Sequence, residues 1–170
     1  MKHELTGSCG VVEIRPLMGG DIEPMRRLRN KNRHMFVLSS KITLEEQQVW
    51  YARYLHAPGD YMFSVYFENH WIGAVAVYEV KDNCAEFGRL LIDRAAAGRG
   101  GLGVDATKAA CQIAFEQLGV ERITLTVYCD NPAAQITYLK AGFCPVSISQ
   151  ENNQKPMVHM ILLKSKALLA

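Results

Sequence analysis

The run Gly98-Arg99-Gly100-Gly101-Leu102-Gly103 joins closely spaced glycines to the start of an apolar helical pattern. Without Cβ atoms the backbone can pass close to a ligand, and the first N–H groups of a helix, with the dipole behind them, point outward. An anion, typically a pyrophosphate, suits such a loop. Taken alone, the same residues suit a flexible turn equally well. Val104-Asp105 follows instead of Gly-Lys-Ser/Thr, so this is not a nucleoside-triphosphate loop. A dinucleotide fold is also a poor fit, because the run follows an expected antiparallel meander and not the first strand of a βαβ unit.

Metal and thiol chemistry lack the spacing they need. Cys9, Cys84, Cys111, Cys129 and Cys144 lie far apart with no Cys-x-x-Cys pair, and they read as buried, reduced thiols. His34, His56, His70 and His159 have no usable partner spacing, and Asp93-Arg94 reads as a loop pair. No metal is expected.

The elements that must position the loop follow from periodicity. Val11 to Arg15 reads as a strand, and an irregular helix opens at Asp21 and carries Met25, Leu28, Met35 and Phe36. Thr43-Leu44-Glu45-Glu46 has capping-box form and predicts a helix over about 43–55, broken by Pro58-Gly59-Asp60. Tyr61 to Glu68, Trp71 to Val80 and Cys84 to Asp93 predict a three-stranded meander. A helix over about 103–118, a strand over Ile123 to Val127 and a helix from Pro132 to about Lys140, capped by Asn131, come next. Phe143 to Ser149 and Met157 to Leu163, joined by the polar loop Gln150 to Lys155, close the sheet.

Composition narrows the partners. The 170 residues carry 19 Lys plus Arg against 17 Asp plus Glu, a net charge of +2, with no Lys/Arg run beyond two. That gives no electrostatic footprint for nucleic acid. No segment has a signal-peptide core or approaches eighteen apolar residues, so no membrane is expected and the chain reads as cytoplasmic.

The segment Asn131-Pro132-Ala133-Ala134-Gln135-Ile136-Thr137-Tyr138-Leu139-Lys140-Ala141-Gly142-Phe143 resembles the asparagine-to-tyrosine helix and Gly-Phe ending of the GNAT superfamily of acetyl-CoA-dependent N-acetyltransferases. The glycine loop resembles that family's Gln/Arg-x-x-Gly-x-Gly/Ala, with Gly101 and Gly103 at its last two fixed positions and Gly98 where Gln or Arg is usual. The resemblance spans about residues 11–163. It implies an α/β (α+β) GNAT fold, with a mixed, mostly antiparallel sheet of about seven strands flanked by four helices, as one domain over 1–170.

The resemblance also implies a site for acetyl-CoA. Arg99, Gly100, Gly101, Leu102, Gly103 and Val104 would cradle the pyrophosphate. Leu91, Ile92 and Asp93 would offer backbone to the pantetheine where two strands splay, with an oxyanion donor near Ile92, and Asn131 would add a polar contact. Tyr138 matches the general acid, since a phenol of pKa about 10 can protonate a departing thiolate. Glu86 alternates with Gly88, Leu90 and Ile92, which would place it on the pantetheine side as the base; a solvated strand glutamate is the alternative reading, and Glu79 is a competitor.

The stretch from about 29 to 51 resembles the acceptor region of bacterial amino-sugar-nucleotide N-acetyltransferases. Arg29 would grip a diphosphate, with Asn30 beside it and Phe36 stacking on sugar or base. The expected acceptor is therefore a small-molecule amine on a nucleotide-linked sugar. Rival readings are an acetyltransferase for protein N-termini and a non-catalytic acetyl-CoA-binding module. A homodimer stays open.

Overall fold

Gly10 takes φ +56°, a left-handed conformation without penalty for glycine. The chain therefore doubles back between β1 (Gly7–Cys9) and β2 (Val12–Pro16), and Val11, expected in a strand, sits in the turn. This hairpin raises the expected seven strands to eight. The structure is a computed structural model describing residues 2–36, 39–150 and 155–167, so positions 151–154 of the expected polar loop and 37–38 of the expected acceptor stretch lie outside the described residues.

The meander forms as expected from β3 (Tyr61–Phe67), β4 (His70–Lys81) and β5 (Cys84–Ile92). Its two turns, Glu68-Asn69 and Asp82-Asn83, have positive φ throughout, the handedness that matches strand twist. With β6 (Arg122–Tyr128), β7 (Cys144–Ser149) and β8 (Met157–Leu163) the sheet order is β1-β2-β3-β4-β5-β6-β8-β7. Every junction is antiparallel except β5 with β6.

The helices are α1 (Ile22–Lys31), α2 (Leu44–Tyr54), α3 (Arg94–Ala97), α4 (Leu102–Glu116), α5 (Pro132–Lys140) and α6 (Lys164–Ala167). At α2 the Thr43 hydroxyl accepts from Glu46 N–H at 3.2 Å while Glu46 accepts from Thr43 N–H at 2.8 Å, the reciprocal box its sequence announces. One difference lies in the glycine-rich region, where Asp93 leaves the expected strand and caps α3 by accepting from Ala95 N–H at 3.1 Å.

Each face of the sheet carries its own core. α4 lays Ala106, Ala109, Ala110, Ile113 and Ala114 against Val12, Ile14, Phe63, Val75 and Phe87, with small residues permitting close approach. On the other face α1 and α2 bring Met25, Leu28 and Tyr54 to Met62, Ala74, Ala76 and Leu91. Of the cysteines only Cys111, on the inner face of α4, is buried; Cys9, Cys84, Cys129 and Cys144 are partly exposed, which corrects the expectation for those four. They lie near strand ends and turns at the rim of the core, against which Cys9 and Cys129 pack. Among the described residues no helix is long and apolar enough to cross a membrane.

Two bulges interrupt the β4–β5 pairing. Ala74 pairs with Leu91 but Ala76 with Gly88, so β5 holds one extra residue, around Arg89 at φ +53°. Tyr78 pairs with Glu86 but Lys81 with Cys84, so β4 holds another, around Glu79 at φ +51°.

Candidate active site

β5 and β6 run together only through Cys84 with Arg122, Ala85 with Ile123 and Glu86 with Thr124, and then part. Beyond that point no described strand pairs with β5 on its β6 side. Asp93 N–H donates to the Ile72 carbonyl at 2.7 Å and Gly73 pairs with Ile92. In an antiparallel ladder this makes Gly73 and Ile92 a non-hydrogen-bonded pair, so both backbone groups of Ile92 point away from β4 into the opening. Leu91 is turned the other way, its side chain buried on the α1–α2 face and its backbone directed at β4. Gly73 is required here, since a Cβ on it would collide with the Leu91 carbonyl.

The glycine-rich helix start sits at the mouth of this opening. A Cβ on Gly103 would lie 3.6 Å from Thr137 Cγ2, 3.8 Å from Ile92 Cγ1 and 3.9 Å from Leu90 Cδ2. α4, α5 and the free end of β5 therefore converge on one residue. Around Gly98, Gly100 and Gly101 a Cβ would meet nothing within 4 Å, and Gly98 and Gly101 take φ +63° and +91°. Val104 and Asp105 donate to the Gly101 carbonyl at 2.9 and 3.3 Å. The amides of Leu102 and Gly103 precede any intrahelical acceptor and face outward. The Leu102 side chain is buried, and Arg99 lies exposed with its guanidinium 5.9 Å from the Phe67 ring. Open space, outward donors and a helix dipole together fit a pyrophosphate.

Tyr138 packs edge-on against Phe87 at 5.7 Å and Phe143 at 6.2 Å. Burial pushes its phenol up to about 12. Asn131 caps α5, its side-chain carbonyl accepting from Ala134 N–H at 3.2 Å, which leaves the amide NH2 for any ligand.

Glu86 is not where alternation placed it. The extra residue at Arg89 reverses the phase, so Leu90 and Ile92 join Ala85 and Phe87 on the α4 face, while Glu86 keeps company with Tyr78 on the α1–α2 side. Tyr78 Oη donates to Glu86 Oε1 at 2.6 Å. Burial, and then the bond to the Glu86 carboxylate, raise the Tyr78 phenol well above its ordinary range. Sequence reasoning missed Tyr78, because its link to Glu86 is a cross-strand pairing that no spacing along the chain reveals. Glu79, the competitor for the base, is exposed at the β4 bulge.

In the expected acceptor region, Arg29 lies 3.8 Å over the Phe36 ring and desolvation lowers its pKa. Phe36 is half-buried against the α1–α2 core. Both ends of the Asn30 amide are taken by Ile42, whose N–H and C=O each lie at 2.8 Å, so Asn30 closes the loop between α1 and α2. A cleft of about 440 Å³ opens beside α1, lined among others by Glu23, Arg27, Lys31, Trp71 and Asp93. Hydrogen bonds from Arg26 and Arg27 hold the Glu23 carboxyl down to about 2. Among the described residues no three His, Cys, Asp or Glu side chains gather around a common point for a metal.

Residues 12–144 match the sequence family described as Acetyltransferase (GNAT) domain. No curated protein matches the chain. Among solved structures, spermidine N-acetyltransferase from Vibrio cholerae, in complex with CoA and spermine, is 24% identical with a TM-score of 0.81, over 93% of this chain and 98% of that one. A chimera of the Vibrio cholerae spermidine N-acetyltransferase and hSSAT is also 24% identical with a TM-score of 0.81, over 95% of this chain and all of that one. At this identity the likeness is one of fold.

Proposed function

Since the chain belongs to the GNAT acetyltransferase family and is an N-acetyltransferase that uses acetyl-CoA, we propose that, acting as a single domain, it transfers the acetyl group to a small cationic amine that reaches the thioester from the α1–α2 side of β5. The parting of β5 from β6, with the glycine-rich start of α4 at its mouth, carries this reading. Acetyl-CoA supplies the activated carbonyl and the leaving thiolate. The amides of Leu102 and Gly103 hold the pyrophosphate, with Arg99 to Val104 shaping the cradle. Ile92 offers its outward backbone, the N–H serving as the oxyanion donor. The Tyr138 hydroxyl delivers a proton to the thiolate sulfur, and Glu86, directly or through water, removes one from the incoming ammonium.

The acceptor follows from the surroundings of Glu86. A carboxylate beside the ring of Tyr78, with Trp71 and Trp50 partly buried on the same face, suits an aliphatic cation. The solved relatives named above for spermidine point to the same chemistry. A nucleotide-linked amino sugar is the second reading. Arg29, engaged with Phe36, no longer carries it, but Arg27 and Lys31 on the cleft beside Asp93 could meet a diphosphate.

Incubation with acetyl-CoA against polyamines, amino-sugar nucleotides and peptide N-termini, read as thiol release and acceptor mass, decides among them. Turnover with polyamines alone supports the first reading, and turnover with sugar nucleotides alone replaces it by the second. Turnover with peptides alone moves the enzyme to protein N-termini. Acetyl-CoA binding with no turnover on any acceptor leaves a binding module.

A further inference from the structure

The turn that breaks α2 touches both bulges of the β4–β5 pair. Gly59, at φ +65°, accepts a hydrogen bond from Val80 N–H at 3.0 Å, next to the β4 bulge, and a Cβ on it would lie 2.9 Å from the Val80 carbonyl oxygen. The following residue, Asp60, accepts from Arg89 Nη1 with both carboxylate oxygens, at 2.8 and 2.9 Å. Arg89 is the extra residue of the β5 bulge, and its guanidinium lies 4.4 Å over the ring of Tyr78. The turn is itself anchored, because the Lys2 ammonium donates to the carbonyls of Ala57 and Asp60. Between the bulges lies the Tyr78–Glu86 pair.

A left-handed conformation costs a residue such as Arg or Glu about 1–2 kcal/mol, and it persists only where the surroundings impose it. Neither Glu79 nor Arg89 is a natural turn former, so the imposing groups must be their partners. We infer that the turn 57–60 is a strap that holds both bulges, and that Asp60 and Arg89 are positioning residues for acetyl transfer. Without the strap, β5 relaxes toward a regular ladder. A one-residue slip turns every following side chain to the opposite face. Leu90 and Ile92 would then leave Gly103, and the Ile92 amide would turn from the opening toward β4. This inference rests on the reading that Ile92 and Glu86 serve the transfer.

The test compares Asp60→Asn, Arg89→Gly, Arg89→Lys and the Asp60→Asn/Arg89→Gly double variant for kcat, for KM toward acetyl-CoA and amine, and for melting temperature. Glycine accepts φ +53° freely, so Arg89→Gly removes the ion pair without adding strain. Asp60→Asn is expected to lower kcat/KM by about tenfold to a hundredfold, the scale of a small misplacement of reacting groups, with KM for acetyl-CoA raised, whereas Arg89→Gly, which keeps the bulge without the pair, should lose far less and should relieve the loss in the double variant. Arg89→Lys should retain part of the activity, and the double variant should be no worse than the poorer single, because the pair acts as a unit. Melting shifts with kcat and both KM values at parent level would overturn the strap, and so would additive losses. If Asp60→Asn fails to fold, Arg89→Lys and the double variant decide: a double variant that folds with near-parent kcat/KM supports the strap, and one that folds with the full loss overturns it. Tyr138→Phe is measured alongside. Parent-like turnover there sinks the catalytic reading, whereas a slow Tyr138→Phe beside a parent-like Asp60→Asn sinks only the strap.

Discussion

Tyr138 and Glu86 lie on opposite faces of β5: the Tyr138 ring meets Phe87 edge-on, while Glu86, one residue before Phe87, accepts a 2.6 Å hydrogen bond from Tyr78 on the other side. On the proposed reading, a proton donor for the leaving group and a proton acceptor for the incoming amine would thereby be kept apart by the thickness of one strand.

Tyr138→Phe removes only the hydroxyl and leaves the ring packed. Turnover should fall about a hundredfold, with acetyl-CoA affinity changed far less. Steady-state kinetics beside calorimetric titration of acetyl-CoA checks this. Equal losses in both would make Tyr138 a binding residue.

The phenol of Tyr138, raised by burial to about 12, stays protonated through the alkaline range in which a free tyrosine, near 10, ionises. The rate should therefore show no loss assignable to this acid between pH 8 and 11. Because the folded value lies above the unfolded one, the linked stability is fully present below about pH 10 and is lost as pH rises through about 12. A rate profile together with melts over that range reads both effects.

Glu86→Gln should depress activity mostly at the acid end of the profile, where the amine most needs help in losing its proton. Tyr78→Phe, which deletes the donor to Glu86, should give a smaller loss in kcat and leave KM for acetyl-CoA unchanged. The ratio of the two effects, measured with one acceptor, separates the carboxylate from its holder.

Gly101→Glu puts a charge and a Cβ at φ +91° against the cradle. Affinity for acetyl-CoA should drop about tenfold or more, the scale of one repulsive charge near a surface site. Circular dichroism should be unchanged. Retained affinity would move the pyrophosphate elsewhere.

Lys31→Ala distinguishes the two acceptor readings. On the cleft beside Asp93 it should raise KM for a sugar nucleotide severalfold and leave KM for a polyamine level or lower, since a repelling cation has gone.

Local chemistry made much of this legible. Thr43 with Glu46, Asn131 with Pro132, and Gly101 with Gly103 each depend on neighbours within four residues, and each stands where the sequence places it. The bulges were not legible, because Arg89 and Glu79 take positive φ under the influence of Asp60 and Gly59, about twenty to thirty residues away, and simple alternation then assigned Glu86 to the wrong face. The bonding of Asn30 to Ile42 was not legible for a related reason. The Asn30 amide answers Ile42, twelve residues on, and a polar residue near a helix end looks the same in sequence whether it meets a ligand or its own chain.

The unequal burial of the five thiols bears on how the enzyme is assayed. Cys111 is sealed inside α4, where burial drives its pKa far up and starves it of thiolate, so a disulfide reagent used to count released coenzyme A will pass it by. Cys9, Cys84, Cys129 and Cys144 are each partly exposed, which opens them to such a reagent to differing degrees. Each can add an enzyme-dependent colour that mimics turnover on a poor acceptor. Replacing those four with serine, and leaving Cys111 in place, yields a protein whose only chromogenic thiol is the product.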